Sequence, residues 1–190
     1  MRTTILALVL AAIVLQPADA RSGSPVFRID PSRSVAQFTV TKLGFEDVPG
    51  TFRDMSGEIR WHAPEPEAGF VRWRVKVASV ATDSRDRNSA LQRPEYFDAR
   101  RHPELMFEST RVRALGPGRL EVTGQLTMRG VTREQTLIVR HGGSAAHLIF
   151  ETDFEVDRYD FGISGGTVMG RLIGRTVRIH LRAVTVEHTS

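Results

Sequence analysis

Cysteine is absent from the 190-residue sequence. That excludes a disulfide framework, thiolate catalysis, cysteine-based zinc sites and a lipid anchor on cysteine. The fold must stand on its core. Apolar runs long enough for a helical membrane span, ~20 residues, are absent as well. Lysine is scarce, Lys42 and Lys76 being the only ones, so the net charge of +4 rests on scattered arginines. Their scatter argues against nucleic acid as a partner, while transient contact with an anionic membrane surface fits this charge. The histidines (His62, His102, His141, His147, His180 and His188) have no metal-type spacing, and no metal site is expected. Gly162-Ile163-Ser164-Gly165 lacks the strand-turn-helix setting of a nucleophile elbow. Asp153, Glu155 and Asp157 share a strand face and invite a paired-carboxylate reading, but they read better as the wet face opposite Phe154 and Val156. No catalytic residue and no cofactor is expected.

What is present begins with an address. Arg2 precedes the apolar run Ile5 to Leu15, and Ala18-x-Ala20 places small residues where signal peptidase cuts. Residues 1–20 are therefore expected to be a signal peptide cleaved after Ala20, leaving residues 21–190 as one periplasmic or secreted domain. Ser22 to Pro25 reads as a loose mature N-terminus.

Period-two alternation runs through the mature chain. Val71, Trp73, Val75 and Val77 alternate with Arg72, Arg74 and Lys76. The pattern returns with Leu120, Val122, Leu126 and Met128, with Leu148, Phe150, Phe154 and Val156, and with Val177, Ile179 and Leu181. Weaker runs lie at Val26–Ile29, Val35–Leu43, Gly50–Trp61, Glu104–Arg113 and Val131–Arg140. About eight or nine strands result. Gly116-Pro117-Gly118, Arg129-Gly130 and His141-Gly142-Gly143 are short turns between them, which predicts antiparallel hairpins. Thr82 to His102 breaks the pattern and reads as a helical excursion capped by Asp83 or Ser84. One-sided strands in one domain can form a sandwich of two sheets or a closed barrel, and the pattern itself leaves both open.

Asp30 to Val40, Val48-Pro49-Gly50-Thr51-Phe52 and Gly57-Glu58-Ile59 resemble the start of the YceI-like, polyisoprenoid-binding family. Ser79 to Thr82, Leu91, Phe97-Asp98-Ala99 and His102 to Ser109 are similar to its next region. Gly124 to Thr132 resembles its "G-x-L-T-x-x-G-V-T" hairpin, and Arg158-Tyr159-Asp160-Phe161-Gly162 its "R-x-D-F-G" signature. The resemblance spans essentially the whole mature chain. It implies an all-β, extended antiparallel eight-stranded lipocalin-like barrel, with an apolar tunnel for a long isoprenoid such as a quinone tail or polyprenol. The departures are local. Arg33-Ser34 replaces the family's "H-S", and Arg87-Asn88-Ser89-Ala90-Leu91 replaces "R-D-x-H-L", so no charged head-group contact carries over at those positions.

Inward apolar residues fill a core or line a cavity, and periodicity does not separate the two. With the resemblance, the expected lining is Phe38, Val40, Phe52, Val71, Trp73, Val75, Val77, Phe107, Leu126, Phe150, Phe154 and Ile179. Arg87, Asn88, Arg158 and Asp160 are candidates for the mouth or for head-group contact. Arg158 and Asp160 have the same parity and, on an extended backbone, point the same way; a structural ion pair is the preferred reading of the two. The expected partner is an isoprenoid lipid. A barrel serving as an interaction module for a periplasmic protein or redox partner is the alternative, and a homodimer is left open.

Overall fold

The computed structural model describes residues 25–144, 147–166 and 169–187. The expected leader, most of the loose N-terminus and His188 lie outside them. In chain order the strands are β1 (Val26–Ile29), β2 (Val35–Lys42), β3 (Glu46–Phe52), β4 (Met55–Arg60), β5 (Phe70–Lys76), β6 (Val80–Ala81), β7 (Glu104–Gly116), β8 (Arg119–Met128), β9 (Val131–Ser144), β10 (His147–Asp157) and β11 (Ile173–Glu187). Helix α1 (Arg85–Leu91) lies between β6 and β7, and the short α2 (Met169–Leu172) precedes β11.

Every pairing is antiparallel, in the order β1-β4-β5-β7-β8-β9-β10-β11-β2-β3-β6, and β1 also pairs with β11. Several segments lie end to end. β1 and β2 both run along β11, at Ile29 opposite Thr185 and Val35 opposite Arg182. β4 and β3 follow them in turn, and β5 and β6 follow β4 and β3. The 11 segments therefore make an eight-position barrel closed by the β1–β11 pairing, with β6 and the first part of β3 left at an edge, and this closure decides between barrel and sandwich.

Three neighbouring wall positions are interrupted at one level, between Ile29 and Val35, Phe52 and Met55, and Lys76 and Val80. Single backbone bonds cross this seam: Asp30 N–H to Val184 C=O (2.8 Å), Arg53 N–H to Ser79 C=O (3.3 Å) and Lys76 N–H to Asp54 C=O (2.9 Å). The strands β7 to β11 run unbroken for 10 to 15 residues.

Alternation does what the pleat requires. Trp73 and Val75 are buried inside, while Arg72, Arg74 and Lys76 project outward to Glu108, Glu104 and Asp54. In β7 a register shift between Ser109 and Arg111 lets Phe107 and Val112, of opposite parity, both face inward. Arg129 and Gly130 both have positive φ (50° and 74°), the geometry of a two-residue hairpin whose twist matches its strands.

Two local expectations are corrected. β5 ends at Lys76, and Val77 opens a 3-10 turn that takes it out of the strand's alternation. Its side chain is 0 % exposed and its N–H donates to the Pro103 carbonyl at 2.8 Å, so Val77 is packed core and no wall of a cavity. Residues Arg158–Phe161 also form a 3-10 turn, not extended chain, because the Asp157 side chain caps it by accepting from Tyr159 N–H.

Candidate functional site

The barrel interior is hollow in two places. A chamber of about 440 Å³ lies toward the end covered by the 82–103 excursion, and a smaller one of about 80 Å³ lies toward the opposite end. Of the residues expected at the cavity wall, Phe38, Val40, Phe52, Trp73, Val75, Phe107, Leu126, Phe154 and Ile179 line the large chamber. Val71 and Phe150 line the small one, together with Trp73 and Phe107, which border both.

Close backbone approach makes this lining possible. Gly50 sits opposite Phe38 across β2 and β3, and a Cβ there would lie 2.2 Å from the Phe38 ring. A Cβ on Gly124 would lie 2.6 Å from the Phe107 ring. Each aromatic ring thus lies across a glycine of the adjacent strand, which a side chain at that glycine would prevent. Phe38 and Phe52 then pack with ring centroids 5.5 Å apart, and Phe97 from the excursion meets Phe52 edge-on at 5.7 Å.

Sequence reading missed part of the wall. Val177 and Leu181 share the parity of Ile179, and Lys42 that of Phe38 and Val40, so alternation already marked them. Leu91, Tyr96 and Phe97 carried no such mark; they come from the excursion, which folds over the chamber end. Within it Ser84 caps α1, its Oγ accepting from Arg87 N–H at 3.3 Å.

The mouth candidates separate. Arg87 lines the chamber beside Asp86 and Thr82, and it pairs with Asp83. Asn88 does not line it: its Oδ1 accepts from the Thr82 N–H (2.8 Å) and hydroxyl (2.7 Å), holding the start of the excursion. Ala90, in the place of the family's histidine, presents a methyl group to the chamber. Lys42 brings a further cation to the lining, 3.4 Å from Glu46.

Arg158 borders the large chamber but is 4 % exposed, with its guanidinium engaged by main chain. Its Nε donates to Gly174 C=O (2.9 Å), Nη1 to Ile163 and Ser164 (2.6 and 2.7 Å), and Nη2 to Gly170 and Ile173 (2.6 and 3.0 Å). Main-chain oxygens thus solvate the buried cation, and the fork ties the 158–174 connection together. Asp160 is exposed and takes no part; the turn at 158–161 abolishes the shared parity on which their pairing depended.

One polar atom inside the barrel stands alone. Trp73 Nε1 is buried without a hydrogen-bond partner, a loss of about 1–3 kcal/mol relative to a satisfied donor. The ionisable groups with displaced acidity lie elsewhere. Hydrogen bonds from His180 and Arg140 hold Asp153 below the usual carboxylate range, and Arg178 and Thr41 do the same for Asp47. Burial pushes the His141 imidazole down from its ordinary 6.5, beside Trp61 and Phe150. Among the described residues no three His, Asp or Glu side chains converge as a metal cluster.

A closed antiparallel barrel with a mainly apolar chamber and a capping excursion is a lipocalin-like binding fold. Comparison with known proteins places it more narrowly. The YceI-like domain model matches residues 27–185, and the chain belongs to that family. A UPF0312 protein of Azotobacter vinelandii is 29% identical over 167 residues, covering 88% of this chain and 83% of the relative. Burkholderia cenocepacia BcnA shares the fold with a TM-score of 0.77 at 20% identity, over 82% of this chain and 98% of that one. A polyisoprenoid binding domain from Saccharophagus degradans, implicated in plant cell wall breakdown, does so with a TM-score of 0.67 at 17% identity, over 85% and 98%.

Proposed function

We propose that this protein is an exported, non-catalytic carrier or reservoir for an isoprenoid lipid, with a quinone or polyprenol as the concrete ligand. The observation that carries the reading is the large chamber of about 440 Å³, walled mainly by apolar side chains inside a closed barrel. Burying a methylene is worth about 0.8 kcal/mol, so about ten of them give ~8 kcal/mol before the cost of association, without any hydrogen bond. Affinity then comes from the tail.

The head group would sit at the rim, where Lys42, Thr82, Asp86 and Arg87 offer both charge signs and a hydroxyl. The polyisoprenoid-binding description of the Saccharophagus degradans neighbour supports the ligand class. Residues 1–20 support export, having the charge, apolar run and small-residue cleavage site of a signal peptide. Transient membrane contact is supported by exposed apolar side chains within three residues of lining residues Lys42 and Ile173: Leu43, Leu172 and Phe45, the last 80 % exposed.

Native mass spectrometry of protein purified from its export compartment tests this, and reads oligomeric state at the same time. The expected result is a bound mass matching a prenyl lipid. An empty protein that also fails to bind isoprenoid probes would overturn the reading.

A further inference from the structure

We infer that the loop Leu43-Gly44-Phe45 and the end of α2 form a docking surface for an anionic lipid bilayer, through which the ligand passes between membrane and chamber without crossing water. What is transferred rests on the isoprenoid reading; the surface itself rests on geometry. The loop joins β2 to β3, and Leu43 N–H donates to the Leu172 C=O at 2.7 Å, which fixes the two segments side by side. Phe45, Leu43 and Leu172 are 80 %, 49 % and 38 % exposed. Leu43 is also held at φ 53°, in the left-handed region that suits glycine or asparagine and disfavours leucine. A bulky apolar residue here is therefore unfavourable in conformation and in hydration, and insertion into an apolar phase removes the second penalty.

The surface adjoins the large chamber on its interrupted side. Val40, Lys42 and Val48 on the arms of the hairpin, and Ile173 directly after α2, all line that chamber. Among the described residues β6 pairs with β3 only at Thr51 and Phe52, which leaves Glu46 to Gly50 as an edge. Helix α1 covers the same chamber with Asp86, Arg87 and Ala90, and none of its residues is buried. The bonds that anchor the excursion to the barrel lie beyond α1. The Pro94 C=O accepts from Arg129 (2.7 Å), the Glu95 C=O from Gly165 N–H (2.8 Å) and the Pro103 C=O from Val77 N–H (2.8 Å). The least fastened part of the cover thus belongs to the chamber whose wall ends in the apolar loop.

Charge and edge chemistry select a bilayer over a protein. The carboxylates beside the loop already have cations, Glu46 with Lys42 (3.4 Å) and Asp47 with Arg178 (2.5 Å). Arg171, exposed next to Leu172, forms no ion pair among the described residues and is available to a lipid phosphate. A protein strand adding to the β3 edge would meet Pro49, which has no N–H to give, and the exposed acids Glu46 and Asp47.

The test follows uptake of a fluorescent polyprenol by the full protein from vesicles of phosphatidylethanolamine and phosphatidylglycerol, and from detergent micelles. The rate from vesicles is expected to rise in proportion to vesicle concentration, as transfer by collision requires. It falls when phosphatidylcholine replaces phosphatidylglycerol and when salt is raised. In Phe45→Ser the ratio of the vesicle rate to the micelle rate drops about tenfold. Brominated lipids quench the indole of Phe45→Trp but not that of Ile138→Trp, which lies on the outward face of β9. A vesicle rate independent of vesicle concentration, or an unquenched Phe45→Trp, overturns the docking surface while the carrier reading stands. A dimer in native mass spectrometry that Phe45→Ser splits, with the rate ratio unchanged, also overturns it by assigning the surface to a second copy. Quenching of Phe45→Trp by vesicles, with no polyprenol taken up by the unaltered protein from either source, overturns the carrier reading alone.

Discussion

The two ends of the bore are built from the same alternating strands and have come out differently. Around the small chamber Trp61, Val112, Leu120, Val122, Leu137, Val139 and Phe150 are all buried and leave about 80 Å³. Around the large one Phe38, Val40, Phe154, Val177 and Ile179 are only partly buried and surround about 440 Å³. Inward parity therefore specifies which way a side chain points, not whether anything meets it there. Whether a side chain is met depends on the opposite wall and on what covers the end.

That contrast can be broken most severely at Arg158. Replacing it by Met leaves five carbonyls without their shared donor, and a loss of more than about 3 kcal/mol is expected by urea unfolding. A milder loss would show that water takes over those carbonyls. Next, Leu120→Ala in the packed end is expected to cost about 2–5 kcal/mol, and Ile179→Ala clearly less, because its removed atoms already border empty space. Equal losses at the two sites would show that the chambers do not differ in packing.

The smallest effect concerns His141, whose charged form burial disfavours. Its folded pKa lies below the ordinary 6.5, so its contribution is fully present above that pH. It falls away as pH drops through the folded value, because only the unfolded chain takes up the proton readily. A decrease of about one or two degrees in Tm between about pH 7.5 and pH 5, absent in His141→Phe, would confirm it. The carboxylates are held low by their partners and lose their contributions in stronger acid, below this window.

The strands were legible because one face is wet along most of their length. β10 is the plainest case, with Phe150 and Val156 buried and Glu155 and Asp153 outside. Legibility ended where a turn resets the count. Val77 kept the right parity for β5 and left it through a 3-10 turn, held by a bond to Pro103 that sequence distance hides. Arg158 looked extended, although Asp157 in front of it is a residue type that caps turns and Gly162 behind it takes φ 68°. Those two residues were the available sign. Tyr96 and Phe97 had no sign, since they reach the chamber only through the path of the excursion.

The seam at Ile29–Val35, Phe52–Met55 and Lys76–Val80 gives the barrel two unlike half-shells. β7 to β11 form a stiff one, in which opening a strand pair means breaking a ladder along most of its length. β1 to β6 form a jointed one, bridged at the breaks by the bonds of Asp30, Arg53 and Lys76. Local opening at those joints sacrifices few hydrogen bonds. These joints lie beside the β1–β11 pairing that closes the ring, so exchange of backbone amides is expected to be faster there than in β7 to β11.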